Sequence, residues 1–171
     1  YNIPVYIQPN IKKPVLLIVI LFAKIIKHPI SLYNFIKEEI KSKRIFFYIL
    51  KNIIINSHIL GKKIDWIHFE YTTMSIGREN IGKAMGIKSS VSFRGYDIGL
   101  YPYDNPSCYD LLWQKIDKVH TISDDLYKQA IDLGLPPKIP YKKITPAINT
   151  EFFKSNVKEN LHNPLRILTV G

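Results

Sequence analysis

The chain has 171 residues, enough for one domain of ordinary size, and its 46% hydrophobic and 22% charged residues support a folded core. Eight Gly and 11 Pro exclude collagen-like and low-complexity classes, and a single Cys excludes an internal disulfide or a Cys-based metal cluster and suits a reducing compartment. The net charge of +10 is concentrated at one end: residues 1–64 hold eleven Lys or Arg against two acids, a net of +9.

Residues 1–14, with Pro4, Pro9 and Pro14, read as a loop or short edge strand. Residues 15–27 are apolar and longer than most strands, so a helix is expected. The longest purely apolar run, residues 15–23, is nine residues, and Lys24 and Lys27 interrupt its extension. A membrane-spanning helix needs about 20, so a buried or interfacial segment fits better. His28-Pro29 breaks the pattern, and Ser31 is the expected N-cap of a helix to about Lys43. A second helix is expected over 44–60, closed by Gly61. On it Arg44, Lys51, Asn52, Asn56 and His58 share one face, while Phe46, Phe47, Ile49 and Ile53 belong to the rest.

From residue 64 the pattern changes. Strands are expected over 64–71, 89–93, 118–122, 143–145 and 166–170. Helices are expected over 73–85, 108–115 and 123–133, the first closed by Gly86 and the last capped by Ser123 and closed by Gly134. Residues 94–106 read as a turn-rich loop. Strand starts near 65, 89, 118, 143 and 166 leave room for one helix between each pair, which is βαβα alternation. The expected fold is α/β, a Rossmann-like doubly wound parallel sheet with helices on both faces, preceded by a basic helical segment. Ligands of such sheets bind outside the carboxyl ends of the strands.

Those ends carry the candidate residues. Arg94 offers a planar fork of donors for phosphate or carboxylate, and Gly95 lets a ligand approach the backbone; the alternative is a structural pair of Arg94 with Asp97 or Glu70. Asp97 suits either a hydrogen bond to a ligand or to Arg94, or a turn. His68 and Glu70 alternate onto one strand face, where they line the cleft or serve structure. Ser123 is explained by its cap, with phosphate contact as an additional role. Tyr96, Tyr101, Tyr103, Tyr109 and Trp113 crowd one stretch; Trp113 reads as core, Tyr101 and Tyr103 as cleft aromatics. The histidines show no ligand spacing, so no metal site is expected. No Walker loop, G-x-G-x-x-G or Ser–His–Asp order occurs.

Three segments stand in order: Asp65-Trp66-Ile67-His68-Phe69-Glu70-Tyr71, Val91-Ser92-Phe93-Arg94-Gly95-Tyr96-Asp97-Ile98, and Lys118-Val119-His120-Thr121-Ile122-Ser123. After them come Ile144-Thr145-Pro146-Ala147-Ile148-Asn149, Phe152-Phe153 and Leu168-Thr169-Val170-Gly171. Over about 64–171 the chain resembles the N-terminal half of the retaining, group 1 glycosyltransferases of the GT-B fold. The resemblance implies transfer of a sugar from a nucleotide-sugar donor to a saccharide or lipid-linked acceptor, in cell-surface polysaccharide synthesis, without a cofactor or metal. It implies residues 1–164 as an acceptor-side domain, incomplete at its start, and 165–171 as the first strand of a nucleotide-sugar domain, so that this fragment alone is inactive. It implies Arg94 and Asp97 as catalytic residues. His68, Glu70, Gly95, Tyr96, Tyr101, Tyr103, Ser123 and Asn149 line the cleft in this reading, and Arg94 and Gly171 face the donor diphosphate. The family usually carries His in place of Arg94 and Asp in place of Asn149.

The basic first third points separately to an anionic partner. Lys24, Lys27, Lys37, Lys41, Lys43, Arg44 and Lys51 are the candidates for an anionic membrane surface, which places the protein in the cytoplasm, peripheral on the inner membrane face. The alternative is a non-catalytic basic α/β module binding anionic lipid or nucleic acid; Phe46, Phe47 and Tyr48 lie beside Lys43 and Arg44, where helix packing explains them more simply than base stacking.

Overall fold

Pro29 opens the first helix, because its fixed φ is already helical and its missing N–H falls where no intrahelical partner exists. In the computed structural model, which describes residues 27–152, helix α1 spans Pro29–Lys41. Ser31 therefore lies inside the first turn instead of capping it. Helix α2 spans Phe46–Asn56. Leu32 and Phe35 of α1 pack with Ile49 and Ile53 of α2, with Leu60, and with Ile81 and Ala84 of the short helix α3 (Ile81–Met85).

Helix α2 keeps Ile49 and Ile53 on its buried side but departs from the expected faces at four positions. Asn52 and Asn56 are buried, at 3% and 0% exposure, while Phe46 and Phe47 stand out at 72% and 64%. The cause lies on another element. Glu39 of α1 is fully enclosed, and its two carboxylate oxygens accept from the side-chain amides of Asn52 and Asn80, each at 2.8 Å. The Asn56 amide donates to the carbonyls of Asn52 and Gly77. A buried carboxylate demands such donors, so the amides turn inward and the first turn of α2 overhangs the core.

Four strands form one parallel sheet in the order β1 (Trp66–Phe69), β2 (Lys88–Phe93), β3 (Lys118–Thr121), β4 (Tyr141–Lys143). The chain between β1 and β2 is not one helix. A 3₁₀ turn covers Thr72–Ser75, then Gly77 takes a left-handed φ of +78°, and only then does α3 begin. A Cβ on Gly77 would lie 2.9 Å from the Asn52 side-chain oxygen, so the break and the buried amide require each other. Gly86, also left-handed, ends α3 as expected. Residues 94–106 hold two short helices, α4 (Gly95–Gly99) and α5 (Tyr101–Asp104), in place of the expected loop. Helix α6 spans Asp110–Lys115, and α7 spans Asp124–Asp132 with Ser123 accepting from Leu126 N–H at its start. The segments expected over 1–14 and 166–170, nearly all of the helix over 15–27, and the domain border at 164/165 lie outside the described residues.

The register sorts side chains by face. Phe69, Val91, Phe93 and Val119 point into the larger core with Leu126 and Ala130 of α7. Trp113 is buried there as expected; it meets Phe93 edge-on at 5.9 Å and donates its indole N–H to Leu133 O at 2.9 Å. Both core clusters lie on this one face. Right-handed crossovers between strands in sequential order put each connecting segment on the same side. Among the described residues the helices cover this face alone, not both faces as expected, and the opposite face of the sheet presents a polar surface.

Candidate functional site

That polar surface is built by alternation. His68 pairs with Ser90 and Ser90 with Lys118; one row further along, Ser92 pairs with His120 and His120 with Lys142. Trp66, His68, Ser90, Ser92 and His120 therefore share one face, and they line a cleft of about 590 Å³. Beyond the carboxyl ends of β1 and β2 stand Glu70 and Arg94, also in its wall.

Within the cleft a hydrogen-bond chain crosses three strands. The Trp66 indole N–H donates to Ser90 Oγ at 2.6 Å. Ser90 Oγ meets His68 Nδ1 at 2.7 Å, and His68 Nε2 meets Ser92 Oγ at 2.9 Å. Ser92 Oγ meets His120 Nδ1 at 2.8 Å, and His120 Nε2 meets the Ile144 carbonyl at 3.3 Å. An indole only donates and a carbonyl only accepts. With both imidazoles neutral, the order is then fixed from one end: His120 Nε2–H donates to Ile144, Ser92 O–H to His120, His68 Nε2–H to Ser92, and Ser90 O–H to His68. Each hydroxyl donates once and accepts once.

This chain leaves His68 no free lone pair, so His68 is not an available base in this state. Burial pushes its pKa below 6.5, and His120 and Arg94 add to that while Glu70 opposes it. The folded-state value lies below the unfolded one. Its contribution to stability is therefore present above pH 6.5 and is lost as pH falls through the folded value. An NMR titration of His68 is expected to give a midpoint below 6.5; a midpoint at or above 6.5 contradicts the neutral hydrogen-bonded chain.

Glu70 and Arg94 form an ion pair between the ends of adjacent strands. Glu70 also lies 3.8 Å from His68 Nε2. Arg94 is thus charged, oriented by a carboxylate and partly open to the cleft. Asp97 holds this edge from below. Its carboxylate is fully buried and accepts from Arg94 N–H at 2.7 Å and from Thr72 N–H. Its own carbonyl accepts from the buried Tyr109 hydroxyl at 2.6 Å. Both carboxylate oxygens are committed to backbone amides, so Asp97 acts here as a clamp between the loops that carry Glu70 and Arg94.

Of the residues expected in the cleft, the structure gathers His68, Glu70 and Arg94. Tyr103 is exposed and lines a separate hollow with Ile98 and Gln129. Tyr101 packs on the larger core and lies 6.2 Å from the exposed Tyr96 ring. Ser123 is the cap of α7, and Asn149 caps its own turn by accepting from Glu151 and Phe152 N–H. Gly95 begins α4 with nothing within 4 Å of where a Cβ would sit. Gly171 and Lys24 lie outside the described residues. Trp66, Ser90, Ser92, His120, Lys118 and Lys142 join the site without having been singled out. Their signal was the period-2 alternation shared by four strands. No group of three His, Cys, Asp or Glu placed to hold a metal occurs among the described residues.

The basic segment also takes shape. Ile40, Ile45, Phe46, Phe47 and Tyr48 are all exposed at the turn between α1 and α2, so helix packing does not account for these aromatics. Lys37 and Lys43 are exposed in α1 and in the turn after it, Lys27 is exposed before the opposite end of α1, Lys51 is half-buried, and Lys41 pairs with Glu38. Arg44 is committed to Glu79 at 2.9 Å. No described helix is long and apolar enough to cross a membrane.

Comparison of the chain with protein-family models, with curated proteins and with solved structures finds no significant match.

Proposed function

We propose that this chain is the acceptor-side domain of a retaining glycosyltransferase of the GT-B kind, its Rossmann-like sheet completed outside the described residues. The observation that supports the reading best is the Glu70–Arg94 pair, at the carboxyl ends of adjacent parallel strands and above a cleft of small-molecule size. A saccharide or lipid-linked acceptor rests in the cleft. The nucleotide-sugar donor is held mainly by a second domain following residue 164. The acceptor hydroxyl oxygen bonds to the anomeric carbon on the face that the diphosphate leaves, as the bond from that carbon to the diphosphate oxygen breaks, and the hydroxyl proton passes to the departing diphosphate oxygen. Arg94 stabilises the charge on the departing diphosphate, and Glu70 fixes the guanidinium in place. Arg94 stays protonated at physiological pH and takes no proton. Asp97 positions this pair. The reaction calls for no metal or cofactor on this domain.

Residues 1–171, incubated with a panel of nucleotide sugars and lipid-linked or saccharide acceptors, are expected to form no product, because the donor half is elsewhere. Robust turnover by these residues alone overturns the two-domain assignment.

The exposed aromatics at the α1–α2 turn support a peripheral place on an anionic membrane face, in the cytoplasm. Each lysine near such a surface contributes roughly 1 kcal/mol, and each Phe buried in the interface about 1.5–3 kcal/mol. Co-sedimentation with anionic vesicles is therefore expected to exceed that with neutral ones and to weaken with salt. Phe46→Ser with Phe47→Ser should cut it at least tenfold without changing the melting temperature, since neither ring is in the core. Equal binding to neutral vesicles, or none to anionic ones, rejects the surface. The same observation supports a second reading, a non-catalytic basic module on anionic lipid. Nucleotide-sugar turnover by the longer protein separates the two.

A further inference from the structure

The cleft has a charge and a chemistry of its own. Lys118 and Lys142 both line it, both are exposed, and neither has an acidic partner among the described residues. Arg94 adds a third cation and Glu70 one carboxylate, so with neutral histidines the wall carries three positive charges against one negative. The polar atoms beneath are already committed. The Trp66 N–H is bound to Ser90, and both nitrogens of His68 and of His120 are bound within the chain. What Trp66 shows to the cleft at 47% exposure is therefore carbon, held in one orientation by its hydrogen bond. A ligand here meets a fixed aromatic surface and flanking ammonium groups.

We infer that this sheet face, open among the described residues, binds an anionic saccharide, a sugar carrying a phosphate or carboxylate, with its C–H surface against Trp66 and its charge between Lys118 and Lys142. The inference rests on the reading of the cleft as the acceptor site and narrows it to acidic acceptors. Two features favour a saccharide over a nucleic acid strand. Among the described residues Trp66 is the one large aromatic lining the cleft, whereas a strand calls for successive stacking residues along a groove. The volume of about 590 Å³ also falls within the range of small-molecule sites. An uncharged sugar would leave the two lysines without a partner, which is why charge on the ligand is part of the inference.

The test is binding to residues 1–171 by calorimetry and tryptophan fluorescence, with glucose 6-phosphate, glucuronate, glucose, inorganic phosphate and a ten-nucleotide oligo-dT as probes. Trp66 is exposed and Trp113 buried, so a ligand on the sheet face changes the emission of the first. At least one of the two acidic sugars is expected to bind tenfold or more tightly than glucose and than inorganic phosphate; which one does so separates a phosphate from a carboxylate ligand. Lys118→Ala with Lys142→Ala should abolish the preference over glucose while circular dichroism stays unchanged. Trp66→Phe should weaken binding of the acidic sugar. Four results overturn the inference: no binding of either acidic sugar, equal binding of glucose, equal binding of inorganic phosphate, or tighter binding of the oligonucleotide. Sugar transfer without selective binding would spare the glycosyltransferase reading and sink this one. Selective binding without transfer by the longer protein would do the reverse.

Discussion

Asp97→Ala is expected to lower the unfolding free energy by about 2–6 kcal/mol, since each of two backbone donors is left without an acceptor at about 1–3 kcal/mol apiece. The donors are Thr72 N–H, at the start of the turn after β1, and Arg94 N–H, at the end of β2. The carboxylate between them is fully buried, so water cannot replace it without opening the fold. Asp97→Asn is the milder change. It keeps the size and one acceptor but turns an N–H donor toward an N–H donor, and it should fall between the wild type and Asp97→Ala. Urea unfolding of the three proteins measures the series. A loss below 1 kcal/mol for Asp97→Ala would show that the clamp is not structural and return Asp97 to the candidates for chemistry.

Arg94→Ala is expected to have the opposite profile. Its partner Glu70 has a side chain 55% exposed, so water can solvate the carboxylate that loses its cation. Surface ion pairs contribute about 0–1 kcal/mol, and the melting temperature should barely move. Turnover by the complete enzyme should drop by about a hundredfold or more, by analogy with removal of one preorganised donor at a developing oxyanion. Arg94→Lys should recover only part, because an ammonium cannot reproduce the fork that meets both Glu70 and a phosphate oxygen. Kinetics of both variants beside thermal melts decide the matter. Near-normal turnover in Arg94→Ala would assign Arg94 to structure alone.

Much of the strand and cap pattern was legible because it is local. The expected starts near 65, 89 and 118 fall within one residue of Trp66, Lys88 and Lys118, since apolar runs bounded by turn residues mark strands directly. The Ser123 cap and the Gly86 terminus follow from single-residue chemistry. The face of α2 was not legible, because Asn52 and Asn56 are buried to satisfy Glu39, which lies on a different helix. The single helix expected over 73–85 failed for a related reason: its apolar residues are consistent with a helix, but Gly77 must turn left to leave room for Asn52.

The site was legible in part. Glu70 and Arg94 follow strands and were marked by position, and their pairing was one of the structural alternatives weighed for Arg94. The Ser90–His68–Ser92–His120 chain depends on strand register, which no single strand encodes, and a sheet with helices on both faces would leave no such polar face. His120 shows no ligand spacing in the sequence, and its place becomes visible only when the register sets it beside Ser92.

The central claim is retaining transfer of a sugar from a nucleotide donor, with Arg94 at the departing diphosphate. The most direct measurement is proton NMR of the product formed by the protein in which residues 1–171 are followed by the donor domain. The anomeric coupling constant of the transferred sugar reports its configuration. The account predicts a glycoside with the same anomeric configuration as the nucleotide sugar, formed at least a hundredfold more slowly by Arg94→Ala. An inverted product, or no glycoside from any nucleotide sugar while the protein remains folded, would contradict it.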